Sequence, residues 1–151
     1  MNTYQVTERL PYSAQQMFDL VASVEDYAEF MPLCERSVIT SRRDLDDGGE
    51  EIVAILEVAH KKSGLSDRFE SRVHVDRGNM TIIAVSETGP VRHLENRWTF
   101  RDLGEGHSET NFFIQYQMRN WPLQMLMNTM SGRVFDKISA AFRQRASTVY
   151  G

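Results

Sequence analysis

The chain has only one cysteine, Cys34. No intramolecular disulfide can form, and the composition is compatible with a reducing compartment. Long apolar runs are also missing. No stretch approaches the roughly 20 residues that a bilayer-spanning helix needs. The start, Met1-Asn2-Thr3-Tyr4-Gln5, lacks the basic and apolar segments of a secretory leader, so the expected location is cytoplasmic, with peripheral contact at the inner membrane as an option. An excess of positive charge is absent too: the net charge of −4 disfavours generic nucleic-acid binding. Repeats, low-complexity segments and interdomain linkers are lacking, and 151 residues suit a single domain, 1–151. A domain of this size buries about 70% of the surface its unfolded chain exposes, enough for a substantial core.

Catalytic and metal-binding motifs are equally scarce. His60, His74, His93 and His107 fall on or beside different predicted strands, without the paired spacing of a zinc site. Neither a metal nor a cofactor is expected. Cys34 has no histidine near it in sequence to activate the thiol. No nucleophile elbow or phosphate-binding glycine motif occurs. Gly104-Glu105-Gly106 lies between two strands and opens no helix. His60, Tyr27, Tyr116 and Asn96 are the few polar groups available for acid–base chemistry inside a cavity.

What the chain does contain is a change of hydrophobic period. Gln5 to Leu10 read as a first strand. Ser13 stands three residues before Gln16, the spacing of a capping box, and Met17, Phe18 and Val21 share the helical face that follows. Ser23 and Asp26 repeat the start signal, with Val24, Tyr27, Phe30 and Met31 behind it. Pro32 ends this second helix at Met31. From Glu35 to Met118 the period is two, interrupted by turns at Asp46-Asp47-Gly48-Gly49, Lys61-Lys62-Ser63-Gly64, Arg77-Gly78-Asn79, Gly89-Pro90 and Gly104-Glu105-Gly106. Successive strands joined by short turns predict an antiparallel meander. Ala54, Leu56, Val58 and His60 share one face of their strand, taken as the inner one.

After Trp121-Pro122 the helical period returns and persists for about 27 residues, a rod of roughly 40 Å. Leu123, Leu126, Met127, Met130, Val134, Ile138, Ala141, Phe142 and Val149 form its apolar stripe. Only the concave face of the meander is large enough to cover it, so the predicted class is α+β, a sheet wrapped around a long C-terminal helix. The 8 Met and 8 Phe fit a plain core or an adaptable apolar pocket. The helix is also the net-basic segment, with Arg133, Lys137, Arg143 and Arg145 against Asp136. That face is either simply solvated or a docking surface for anionic lipid or RNA.

Three stretches carry a family likeness over nearly the whole chain. They are Val24-Glu25-Asp26-Tyr27 through Glu29-Phe30 and Pro32 to Cys34; Phe69-Glu70-Ser71-Arg72-Val73; and Gly89-Pro90, Leu94-Glu95 and Arg97-Trp98-Thr99-Phe100. The ending from Ala146 to Tyr150-Gly151 fits as well. The chain resembles the START-like, helix-grip superfamily of polyketide cyclases and lipid-transport proteins. Within it, the likeness is to the coenzyme-Q-binding family, which includes a ribosome-association toxin. The resemblance implies about seven antiparallel strands, two short helices after the first strand and a long C-terminal helix around a hydrophobic tunnel. It further implies binding of ubiquinone or a similar lipid in support of respiratory electron transport, without covalent chemistry. Its tunnel wall would draw on Phe18, Tyr27, Phe30, Met31 and Leu33, on Leu56, Val58, Phe69 and Val73, on Trp98 and Phe100, and on Met127, Met130, Val134 and Ile138. Leu33 stands where the family often has tryptophan, Asn96 where glycine is usual and Val91 where phenylalanine is common. The Lys61-Lys62 turn looks longer than typical. Three readings follow: a lipid or quinone carrier, a ribosome-subunit-binding toxin acting through the basic helix, and a polyketide cyclase or aromatase.

Overall fold

The computed structural model describes residues 1–60 and 64–151, with the side chains of all but His60, Leu65, Met130 and Ser131. The predicted Lys61-Lys62-Ser63 turn therefore lies outside the described residues. The order of elements is β1 (Asn2–Leu10), α1 (Ala14–Ala22), a 3-10 helix (Val24–Glu29), β2 (Cys34–Asp44), β3 (Glu50–His60), β4 (Leu65–Asp76), β5 (Thr81–Ser86), β6 (Val91–Gly104), β7 (His107–Met118) and α2 (Trp121–Tyr150). The strands form one seven-stranded sheet ordered β1-β7-β6-β5-β4-β3-β2. Every pairing is antiparallel. The meander runs from β2 to β7. β1 joins its far edge through a register from Asn2 opposite Tyr116 to Leu10 opposite Ser108. That pairing starts β1 at Asn2, three residues ahead of the strand predicted from periodicity.

The helical entry is partly as expected. Ser13 and Gln16 form the capping box, each side chain meeting the other's backbone N–H, at 3.1 and 2.9 Å. The second segment is a 3-10 helix that stops at Glu29, short of the predicted Met31. Ser23 does not cap it, because its hydroxyl donates instead to the Asp19 carbonyl at 2.9 Å. Tertiary contacts hold this segment: Ser37 on β2 accepts from the Ala28 N–H and donates to the Glu25 carbonyl. The Tyr27 hydroxyl donates to the Val21 carbonyl. Leu33 then turns the chain into β2 from the left-handed region, at φ 69°.

Helix α2 has 30 residues, about 45 Å of rod. Asn120 caps its start by accepting from the Leu123 N–H at 2.9 Å. Its C-terminal half is clamped by rings. Phe142 meets Trp98, Tyr27 and Phe30 edge-on at 4.9, 5.5 and 5.1 Å between centroids. Trp98 stacks in parallel on Phe100 at 6.1 Å. The Tyr150 hydroxyl donates to the Gln16 carbonyl at 2.8 Å, tying the end of α2 to α1. The buried stripe is rotated from the predicted one. Phe135, Ser139, Phe142 and Ala146 are buried, whereas Val149 is 51% exposed. Among the described residues no helix is long and apolar enough to cross a membrane.

Two glycines give opposite expectations. Gly89 has φ +60°, and a Cβ there would stand 2.3 Å from the Arg68 carbonyl oxygen. Gly89→Ala should therefore cost about 2–4 kcal/mol, seen as a lower urea midpoint. Gly132 lies within α2 with open space around it. Gly132→Ala should raise the midpoint by about 0.5–1 kcal/mol of stability.

Candidate ligand-binding cavity

Cross-strand register explains why the sheet and α2 enclose space. One row of the inner face runs Val75, Ile82, Trp98, Phe112, Val6. The next runs Ile52, Val73, Ala84, Asn96, Ile114. In the third, Ala54 faces Ser71 across β3 and β4, and Ser86, Leu94 and Tyr116 continue it across β5, β6 and β7. Two large rings, Trp98 and Phe112, raise the first row, and Trp98 holds Phe142 of α2. Small side chains at Ala54, Ser71, Ala84 and Ser86 leave the other two rows low, and a straight helix cannot descend to fill them. The result is a cavity of about 250 Å³ between the sheet, the segment from Val24 to Cys34 and α2.

Its wall collects much of the predicted set. Tyr27, Met31 and Leu33 line it from the helical entry. Leu56, Val58, Phe69, Val73 and Trp98 line it from the sheet, and Met127 and Ile138 from α2. Four predicted residues are not on the wall, which corrects their assignment. Phe18 is fully buried beneath Phe100, at 5.6 Å between rings. Phe100 itself is covered by Trp98. Phe30 packs behind the wall on Phe142, with the Arg145 guanidinium 5.1 Å from its ring centre. Val134 is half-buried beside the core, and Phe135 takes the inward position next to it. Packing of ring upon ring consumes these side chains. The side chains of Met130 and His60 lie outside the described residues.

Several wall residues were not assigned to the site from sequence. Phe112, Ile114 and Met118 of β7 complete the sheet side beside Tyr116, which the sequence offered as a polar cavity group, and Phe135 and Phe142 complete the helix side. The alternation of β7 marks its residues as inward but does not separate wall from core. Ser71, Ala84 and Ser86 also line the cavity. Their signal is a small residue at an inward position of an otherwise bulky strand. Leu33, Val91 and Asn96, where the chain departs from the family pattern, are all on the wall.

Among the described wall residues there is no carboxylate, ammonium, guanidinium or imidazole. Burial pushes the Tyr27 phenol and the Cys34 thiol up from their ordinary values, so both stay neutral at physiological pH. Most polar wall groups are already bonded. Asn96 Nδ2 donates to the Phe113 carbonyl at 3.0 Å, and Asn96 Oδ1 accepts from the Trp98 indole at 2.9 Å. Tyr116 accepts from Asn2 Nδ2 at 3.3 Å. No group of three metal-ligating side chains occurs among the described residues. Outside the cavity, Arg143 holds both oxygens of Glu8, at 2.7 and 2.8 Å, and Arg145 meets Glu29 at 2.7 Å. Two of the basic groups on α2 are thus engaged with the domain itself. Trp121 and Met125, at the start of α2, are 73% and 44% exposed.

A curved antiparallel sheet gripping one long helix around an apolar cavity defines a ligand-binding protein of the START-like, helix-grip class. The model of the family described as polyketide cyclase / dehydrase and lipid transport matches residues 10–143, and the chain belongs to that family. The ribosome association toxin RatA of Rickettsia prowazekii is 31% identical over 152 aligned residues, covering 99% of each chain. The mitochondrial coenzyme Q-binding protein coq10 of Schizosaccharomyces pombe is 24% identical over 97% of this chain and 87% of its own length. The Zhui aromatase/cyclase from Streptomyces sp. R1128 shares the fold, with a TM-score of 0.80 at 17% identity, over 97% of this chain and 93% of its own.

Burial and a raised pKa both starve Cys34 of thiolate. At pH 8 the native protein should react with iodoacetamide at least about tenfold more slowly than the urea-unfolded chain. Mass spectrometry of timed samples measures the ratio.

Proposed function

We propose that the chain is a non-enzymatic carrier of a neutral hydrophobic molecule, a polyprenyl quinone such as ubiquinone or a similar lipid, in support of respiratory electron transport. The observation that carries this reading is the wall of a cavity of about 250 Å³, uncharged and almost wholly apolar among the described residues. An ionised ligand would leave water without a counter-charge, at large cost, whereas a quinone ring and prenyl chain lose little. Engineered voids of about 150 Å³ already take up benzene. This cavity suits a substituted ring with the first part of a tail. The exposed Trp121 and Met125 supply an apolar surface for contact with the bilayer from which such a ligand is drawn. The coenzyme Q-binding relative supports the choice of ligand. General acid–base catalysis of the cyclase kind needs titratable groups facing the substrate, and the described wall offers Tyr27 and Cys34, both held protonated by burial, beside amide, indole and hydroxyl groups.

Trp98 is on the wall and Trp121 is outside it. In a Trp121→Phe background, a short-chain benzoquinone should quench the remaining fluorescence saturably. Ala84→Leu, which fills the cavity floor, should weaken uptake more than about tenfold with little loss of stability. Recovery of the purified protein without lipid, together with no quinone-induced rise in Tm, would sink the carrier reading.

A second reading, attachment to a ribosomal subunit so as to block subunit joining, is favoured by the 31% identity to the RatA relative. Arg133 and Lys137 are exposed on α2 and provide its positive charge. Binding through them should be strongly salt-dependent. Unchanged subunit profiles in a low-salt gradient with added protein argue against it.

A further inference from the structure

We propose that Ser86, with Ser71 beside it, is a hydroxyl anchor for an oxygen atom on the head of the bound lipid, so that the cavity selects an oxygen-bearing neutral head over a plain hydrocarbon. This rests on the carrier reading above and specifies the ligand's chemistry further. Ser86 is 1% exposed, lies on the cavity wall, and its Oγ makes no hydrogen bond among the described residues. Buried hydroxyls are ordinarily paired, and a lone one weakens the fold that holds it. The strand would pack as well with alanine here, as β5 does two residues earlier at Ala84.

The neighbouring groups make this position particular. The last paired residues of β4 and β5 are Arg72 and Val85. Ser71 and Ser86 come next in that register, so their side chains stand opposite one another on the inner face. The strands stay together beyond them, since the Glu70 N–H donates to Thr88 Oγ1 at 2.8 Å. Ser71 is also buried and on the wall. Most other polar wall groups are committed: Tyr27 donates to the Val21 carbonyl, Asn96 binds Phe113 and Trp98, Cys34 faces the Arg36 carbonyl, and the Tyr116 oxygen accepts from Asn2. Thr110 and Ser139 also carry buried hydroxyls without partners, but they face a separate void of about 20 Å³, too small for more than a single water. Ser86 therefore lines the space large enough for a ligand, and its hydroxyl has no partner among the described residues. Its Oγ is covered as the fold stands, and rotation about the Cα–Cβ bond would present it to the ligand. With no cation on the described wall, the oxygen it meets belongs to a carbonyl, ether or hydroxyl rather than to a carboxylate or phosphate.

The test compares two probes by native mass spectrometry titration: a short-chain prenyl benzoquinone and a prenyl hydrocarbon of equal length without oxygen. Ser86→Ala should weaken the quinone about five- to tenfold and leave the hydrocarbon unchanged within about twofold. Ser71→Ala should have a smaller effect of the same kind, and Ser86→Thr, which keeps the hydroxyl, should retain quinone affinity. The Tm of ligand-free Ser86→Ala should equal or exceed that of the unmodified protein, which separates loss of an anchor from loss of fold. Equal weakening of both probes, or an unchanged quinone affinity, overturns the anchor and leaves the carrier reading standing. No saturable uptake of either probe by the unmodified chain overturns both.

Discussion

The fold depends on one contact, the seating of Phe142 against Trp98. The indole stands on the sheet, stacked on Phe100 and braced edge-on by Phe112 at 4.8 Å. Phe142 arrives from α2 and also receives Tyr27 and Phe30 from the segment before β2. Sheet, long helix and helical entry thus meet at one ring cluster. Aromatic pairs in such geometry contribute about 0.5–1.5 kcal/mol each beyond the area they bury. Ion pairs from Arg143 and Arg145 and the Tyr150 hydrogen bond fasten the same end of α2 to β1, the 3-10 helix and α1.

Fixing one end of a straight rod against a curved sheet leaves the other end standing off. Whether the gap becomes core or cavity depends on side-chain volume in the sheet rows beneath it. Here Ser71, Ala84 and Ser86 keep the floor low, while Leu56, Val58, Phe69 and Met118 raise walls around it. The cavity is thus a product of residue size read across strands, and its neutrality follows from the same rows, which carry no charged side chain among the described residues. The basic charge of α2 is partly spent within the domain, which shifts attention from that face to the apolar Trp121 and Met125 at the other end.

Much of the fold was legible in the chain. Alternation in β3, β4, β6 and β7, the capping box at Ser13 and the persistent helical period after Pro122 are local signals, and each element formed where its signal lay. The weaker readings failed for reasons outside local pattern. Ser23 has the spacing of a cap, yet its hydroxyl is nearer a carbonyl of the preceding helix. The stripe on α2 includes Phe135, Ser139 and Ala146 rather than Val149, because in the last turns Ala146 and Tyr150 are the side chains that face the domain. For the site, large apolar side chains were the visible cue. Tyr27, Leu33, Phe69, Trp98 and Ile138 do reach the wall, whereas Phe18, Phe30 and Phe100 are spent in ring packing behind it. The small residues that create the volume carry no signal until strands are aligned.

By itself the sequence determined the class of architecture: period two gives strands, short turns make them antiparallel, and a long amphipathic helix demands a concave apolar partner. It also determined the family, through motifs spread over the whole chain. Only the tertiary structure decided which inward residues face space and which face each other. That distinction rests on cross-strand register and on the height at which α2 crosses the sheet, both set by contacts between residues far apart in the chain. Ser86 shows the difference most clearly. In sequence it is one more polar residue before a turn. In the fold it is a buried residue on the wall of an apolar cavity, its hydroxyl without a partner among the described residues.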